Sequence, residues 1–220
     1  MKPVIVFDLD GTLVDSASAI RDVANALMAE RGLRPLDLAE TKSYIGEGMR
    51  VFLRRALTAR GAYDEAAIAS DIQRIEHFFR YAEGSANPPF PGADATLRHL
   101  GAEGYRLALC TNKPKVPTSY ILEAHGWETV FASVIAGDMG LPLKPHPGPL
   151  LAAIEAAGGG AAIFVGDSEV DAATAVAAGV PLVLFTRGYR KCPVAEIAHA
   201  AAFDDFAELP GIIHGVGSRA

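Results

Sequence analysis

The chain has 220 residues, 50% hydrophobic and 21% charged, with 22 Gly and 14 Pro in no triplet period, which excludes whole-chain disorder and the collagen-like and low-complexity classes. Its 26 acidic and 20 basic residues give a net charge of −6, so nothing draws nucleic acid or an anionic membrane to the surface as a whole, and a small anionic ligand needs a local cation. Cys110 and Cys192 are too few for a disulfide framework and lack zinc-site spacing; the apolar run Pro3–Phe7 is too short for a signal-peptide core, and no run reaches the roughly 18 residues of a membrane span, so a reduced, cytoplasmic setting is expected.

In chain order, Val4–Phe7 is a β-branched and aromatic run ending in Asp8, the pattern of a strand covered on both faces in a parallel sheet. The interval from Asp15 to Gly84 holds no convincing strand. Ile20, Val23, Ala24, Leu27 and Met28 share one helical face, and Val51, Phe52, Arg55, Ala56 and Leu57 nearly do. Pro88-Pro89 and Pro91-Gly92 close that interval. Helical patterns near 92–103, 115–125, 146–157 and 169–178 then alternate with strand-like runs at 107–110, 134–136, 161–165 and 180–185. The alternation predicts an α/β fold: a Rossmann-like parallel sheet core in three α/β/α layers, built from residues 1–14 and 85–220, with an inserted α-helical cap domain at 15–84. Polar groups close each run, so the site is expected beyond the carboxyl ends of the strands.

Asp8-Leu9-Asp10-Gly11-Thr12 is the most informative segment. Two acids two positions apart on a strand point to one side, and Gly11 lets the backbone turn away. Gly166-Asp167-Ser168-Glu169-Val170-Asp171 puts further acids at another strand end, where Asp167 and Asp171 fit either a metal site or the N-terminal cap of a helix. Converging carboxylates require neutralisation by a hard cation with oxygen ligands, and Mg²⁺ suits the set better than zinc because no His or Cys cluster accompanies it. Lys144, fixed by Pro145 and Pro147, supplies a cation for phosphate, and Thr111-Asn112 adds donors for a tetrahedral oxyanion at a second strand end.

These segments, DLDGT, Thr111-Asn112, Lys144 and GDSEVD in that order, resemble the four motifs of the haloacid dehalogenase superfamily of phosphatases, and the likeness spans the chain. Leu13 to Ser16, Ile45-Gly46-Glu47-Gly48, Thr111-Asn112-Lys113, Gly188-Tyr189 and Asp205 to Leu209 narrow it toward phosphoglycolate phosphatases. Glu47 and Glu169-Val170 depart from the pattern. The resemblance implies that Asp8 is nucleophile and Mg²⁺ ligand, that Asp10 is general acid and base and offers its carbonyl to the metal, and that Asp167 is the third protein ligand. It further implies that Asp171 orients Lys144 or a metal-bound water, and that Thr111, Asn112 and Lys144 hold the phosphoryl oxygens.

The implied substrate is a small phosphorylated metabolite, with 2-phosphoglycolate first and another phosphomonoester or pyrophosphate as alternatives, handled by a monomer or homodimer without nucleic acid or membrane. A phosphomutase would keep the same motifs. A phospho-aspartate receiver or binding module is disfavoured by the Asp8–Asp10 pair and the long insertion. Within the cap, the Gly46–Gly48 amides and Arg50 are the first candidates for donors to a substrate carboxylate, with a solvated helix arginine as the ordinary reading of Arg50.

Overall fold

A computed structural model describes residues 2–81 and 87–217, without the side chains of Arg80 and Tyr81. The boundary expected between residues 84 and 85 lies outside the described residues. Six parallel strands form one sheet in the order β3-β2-β1-β4-β5-β6. They are β1 Val4–Phe7, β2 Arg106–Cys110, β3 Ser133–Ile135, β4 Ala162–Gly166, β5 Leu182–Phe185 and β6 Ala201–Phe203.

β1 shows why the sheet has two covered faces. Ile5 and Phe7 pack into one apolar cluster with Leu97, Ile121 and Ile213. These come from α5 (Ala93–Ala102), α6 (Lys115–Ala124) and α9 (Leu209–Gly217). Val4 and Val6 pack into another with Leu150, Ala153 and Ala175, from α7 (Gly148–Ala156) and α8 (Glu169–Ala178). All four β1 residues are buried, so the alternation of a strand sends apolar groups to both layers and no polar side is left for water.

Two strand details differ from expectation. The run at 180–185 starts as strand only at Leu182, because the Val180 N–H is spent on Ala175 O at the end of α8 and Pro181 has no N–H. The sixth strand, Ala201–Phe203, joins the edge beside β5; its Ala-Ala-Phe sequence carries no β-branched signal.

The other described helices, α1 Ala17–Glu30, α2 Leu38–Tyr44, α3 Met49–Thr58 and α4 Ile68–Tyr81, gather around their own core. Ile20, Leu27 and Met28 of α1 meet Phe52, Leu53 and Leu57 of α3 and Ile75 and Phe79 of α4 there, as the i, i+3, i+4 spacing requires. Asp37 and Glu40 close a reciprocal capping box on α2, and Arg31 reaches buried Asp71 at 2.8 Å to tie the end of α1 to α4. The two chain segments joining block and sheet run side by side: Asp15 N–H donates to Pro88 O and Phe90 N–H to Leu13 O, both at 2.9 Å. Among the described residues no helix is long and apolar enough to cross a membrane.

Candidate active site

Strand register sets the site. Phe7 stands opposite Leu109 on one side and Val165 on the other, so Asp8 emerges level with Cys110 and Gly166, and Thr111 and Asp167 follow one residue further. Asp8 and Asp10 lie just beyond β1, not on it, yet both line the same pocket. The turn that aims them closes with Leu13 and Val14 N–H on Leu9 O. Gly11 sits at φ +86°, and a Cβ there would stand 2.6 Å from Asp167 Oδ2 and 2.7 Å from the Tyr189 ring. Both the dihedral and the space demand glycine.

Around Asp8 the structure gathers Asp167 and Asp171, with one oxygen of each of the three carboxylates within 4.8 Å of the others, all buried. Lys144 Nζ bridges two of them, 2.9 Å from Asp8 Oδ1 and 2.7 Å from Asp171 Oδ1. The other Asp171 oxygen accepts from Ser168 Oγ at 2.8 Å and from the Ser168 and Asp167 N–H groups at 3.2 Å. Asp171 thus also forms the capping box of α8 with Ser168, so the capping and the site readings of this residue hold together. Asp167 precedes the cap and turns inward instead, accepting from Thr12 Oγ1 at 3.1 Å and from the Tyr189 N–H.

The charge balance of this cluster is unfavourable by itself. One ammonium faces three carboxylates, all of them buried. Burial, opposed by Lys144 and reinforced by Asp171, pushes the Asp8 carboxyl up to about 7. Burial first, then Asp171 and Asp8, hold Asp167 well above the usual carboxylate range. For Lys144, burial works against the charge, but Asp171 and Asp8 more than offset it and the ammonium is stabilised. Cys110 stands next in line, yet burial pushes its thiol up to about 12, so it offers no thiolate. The donors are therefore oxygens with unbalanced negative charge, which fits a hard divalent cation and not a thiophilic one.

The segment after β2 divides its work. Asn112 Nδ2 donates to both Gly46 O and Lys144 O, and its Oδ1 accepts from the Lys144 N–H, each at 2.9 Å. Both amide hydrogens are used, so this side chain clasps the Lys144 loop and links it to the α2–α3 turn. Thr111 Oγ1 accepts from the Lys113 N–H at 3.1 Å. Lys113, not singled out from sequence as a site residue, is the addition. Its Nζ lies 3.1 and 3.2 Å from the two oxygens of Asp10, with only 4% of the side chain exposed, and 5.1 Å from the centre of the Phe79 ring. The available signal was its place directly after Thr111-Asn112 at a strand end.

Gly188-Tyr189 is a second such addition. A Cβ on Gly188 would stand 2.2 Å from Asp167 Oδ2, while the Tyr189 hydroxyl donates to Asp15 at 2.7 Å and accepts from the Ala17 N–H at 3.0 Å. Glu169 turns away from the carboxylate cluster and anchors the following loop through the Lys191 and Cys192 N–H groups.

The helical block closes the pocket with Ile20, Ile45, Met49, Phe52 and Phe79 and with the glycines at 46 and 48. Arg50 does not line it. That guanidinium points outward, 54% exposed, and pairs with Glu65 at 2.7 Å, as the solvated-arginine reading has it; at the first turn of α3 the pocket-facing place belongs to Met49. Glu47 is likewise taken, by Arg55.

Comparison with known proteins finds relatives over nearly the whole chain. A phosphoglycolate phosphatase of Cereibacter sphaeroides is 43% identical over 214 residues, covering 96% of this chain and 97% of its own. One from Rhodospirillum rubrum is 42% identical over 217 residues, covering 95% and 90%. A crystal structure of a predicted phosphoglycolate phosphatase from Haemophilus somnus superposes with a TM-score of 0.89 at 30% identity, over 96% of this chain and 97% of that one. The family model for haloacid dehalogenase-like hydrolases matches residues 2–179, and with the strand-end carboxylates that organise the pocket, this chain belongs to that family.

Proposed function

We propose that the chain is a Mg²⁺-dependent phosphatase that hydrolyses 2-phosphoglycolate to glycolate and phosphate in the cytoplasm, with Asp8 as nucleophile. The observation that carries the reading is the buried Asp8–Lys144–Asp171 bridge, with an Asp167 oxygen within 4.8 Å of those of Asp8 and Asp171. The named activity of relatives at 43% identity over nearly the whole chain supports the substrate. Residues 1–14 and 85–220 act as the catalytic core and 15–84 as a cap.

Asp8, the Asp10 carbonyl and Asp167 would hold the metal, which supplies the positive charge that lets a carboxylate approach a phosphate dianion. Lys144 adds a fixed cation on the same side, kept charged by Asp171. In the first half-reaction an Asp8 oxygen bonds to phosphorus as the bond to the glycolate oxygen breaks, and Asp10 gives its proton to that oxygen. In the second, Asp10 takes a proton from water as the water oxygen bonds to phosphorus and the bond to Asp8 breaks. Thr111 and Lys144 face the phosphoryl oxygens, and Asn112 acts by holding the Lys144 loop in place. The apolar lining contributed by the block excludes bulk water from the intermediate.

Phosphate release measured with Mg²⁺ over a panel of 2-phosphoglycolate, pyrophosphate and sugar phosphates tests the reading. The highest kcat/KM is expected for 2-phosphoglycolate. A higher value for another panel member removes the substrate assignment, and no Mg²⁺-dependent release from any of them removes the function.

A further inference from the structure

We infer that Lys113 is the residue that recognises the substrate's carboxylate, exchanging its contact with Asp10 for one with the bound ligand; this rests on the phosphoglycolate reading above. The need for such a residue follows from the pocket. Glycolate carries a carboxylate one carbon from the phosphoester oxygen, and the block offers it Ile20, Ile45, Met49, Phe52 and Phe79. Burying a carboxylate among these without a partner is prohibitive.

Two cations line the pocket, Lys144 and Lys113. Lys144 is committed to the pocket floor, within 3 Å of both Asp8 and Asp171, where the common phosphoryl group binds. Lys113 has a single acidic partner, Asp10. Its ammonium also lies over the Phe79 ring of α4, which sets it between the sheet end and the block, where the leaving group must extend. Phe79 keeps part of its environment constant while the carboxylate partner changes. Of the two donors considered in the block, Arg50 is held at the surface by Glu65, and the Gly46–Gly48 amides carry no net charge to balance a carboxylate, so the role of countercharge stays open. A substrate without a carboxylate leaves Lys113 on Asp10 and forgoes the exchange, and a site built to receive a charged group discriminates strongly against an analogue that lacks it.

The test compares 2-phosphoglycolate with 2-hydroxyethyl phosphate, in which a hydroxymethyl group replaces the carboxylate, in the wild type, Lys113→Met, Lys113→Gln and Lys113→Arg proteins with Mg²⁺. The readout is the ratio of the two kcat/KM values, because damage to Asp10 or to folding is common to both substrates and cancels. In the Met and Gln variants the ratio is expected to fall by roughly 10- to 100-fold, the worth of one charge-assisted contact, mainly through KM for 2-phosphoglycolate. The Arg variant is expected to keep most of it. A ratio unchanged within about twofold in the Met and Gln variants overturns the inference. So does a wild type that hydrolyses both substrates equally well, which leaves the phosphatase reading standing. A wild type that hydrolyses neither ends that reading and this inference together.

Discussion

The sheet end and the helical block meet at one pocket but bring opposite chemistry to it. Every charged group lining the pocket comes from a loop at or near the carboxyl edge of the sheet: Asp8 and Asp10 after β1, Lys113 after β2, Lys144 between β3 and α7. Each is held by a second buried group. The block contributes apolar side chains and two glycines, and spends its arginines elsewhere, Arg31 on Asp71, Arg34 and Arg60 on Glu40, Arg50 on Glu65. A fixed polar floor and an apolar lid differ in what they tolerate. The floor fails in function when one of its groups is removed, since each one positions another; the apolar side fails only when its shape is lost.

Substitution on the floor should therefore have the largest effect. Asp8→Asn is expected to lower kcat by about a thousandfold or more, once deamidation is excluded by mass spectrometry, while the metal-free protein melts no lower than wild type at pH 8, because a costly buried charge has been removed. Substantial residual turnover would show that the floor is not where bonds are made.

A second, smaller effect concerns pH. Asp8 titrates near 7 and Asp167 well above its ordinary range when no cation is present, so the folded protein binds protons that the unfolded chain releases near 4. Their contribution to stability is complete below that value and is lost as pH rises through about 7. Chelator-treated protein should accordingly lose melting temperature between pH 5 and pH 8, and added Mg²⁺ should restore more of it at pH 8 than at pH 5, as read by differential scanning fluorimetry. A Mg²⁺ response that is flat or larger at pH 5 would contradict the charge balance derived for the floor.

The smallest effect is expected on the lid's exterior. Arg50→Ala should change KM for 2-phosphoglycolate by less than about twofold, because its partner is an exposed glutamate and screened surface pairs contribute little. A tenfold rise would place a functional cation in the block and erase the contrast between the two regions.

Much of this arrangement was legible because it is local. Val4–Phe7 is continuous and apolar, and its burial on both faces follows; Asp8, Asp10, Lys144, Asp167 and Asp171 converge because each sits at or near the carboxyl edge of the same sheet. What escaped reading is long-range or weakly signalled. Lys113 meets Asp10 across 103 positions, and a lysine is the residue least expected to be buried. The edge strand Ala201–Phe203 is defined by pairing with β5 and not by its own composition. For Arg50 the sequence left a donor and a solvated arginine both open, because helical periodicity between residues 49 and 57 does not say which side of the first turn faces the sheet. Asn112 was expected to face the ligand, and only the distances to Gly46 and Lys144 reveal a side chain with no donor to spare.

The register of three neighbouring strands has a consequence for how such a chain can change length. Phe7, Leu109 and Val165 share one row, so inserting or deleting a single residue in any of the three would turn the outgoing side chains to the opposite layer and scatter the row behind Asp8. The Gly158–Gly160 corner, at the far edge of the sheet where Arg106 caps the Ala157 and Gly159 carbonyls, carries no such obligation. A change of length is expected to be tolerated at a corner of that kind and not in the strands that aim the acids.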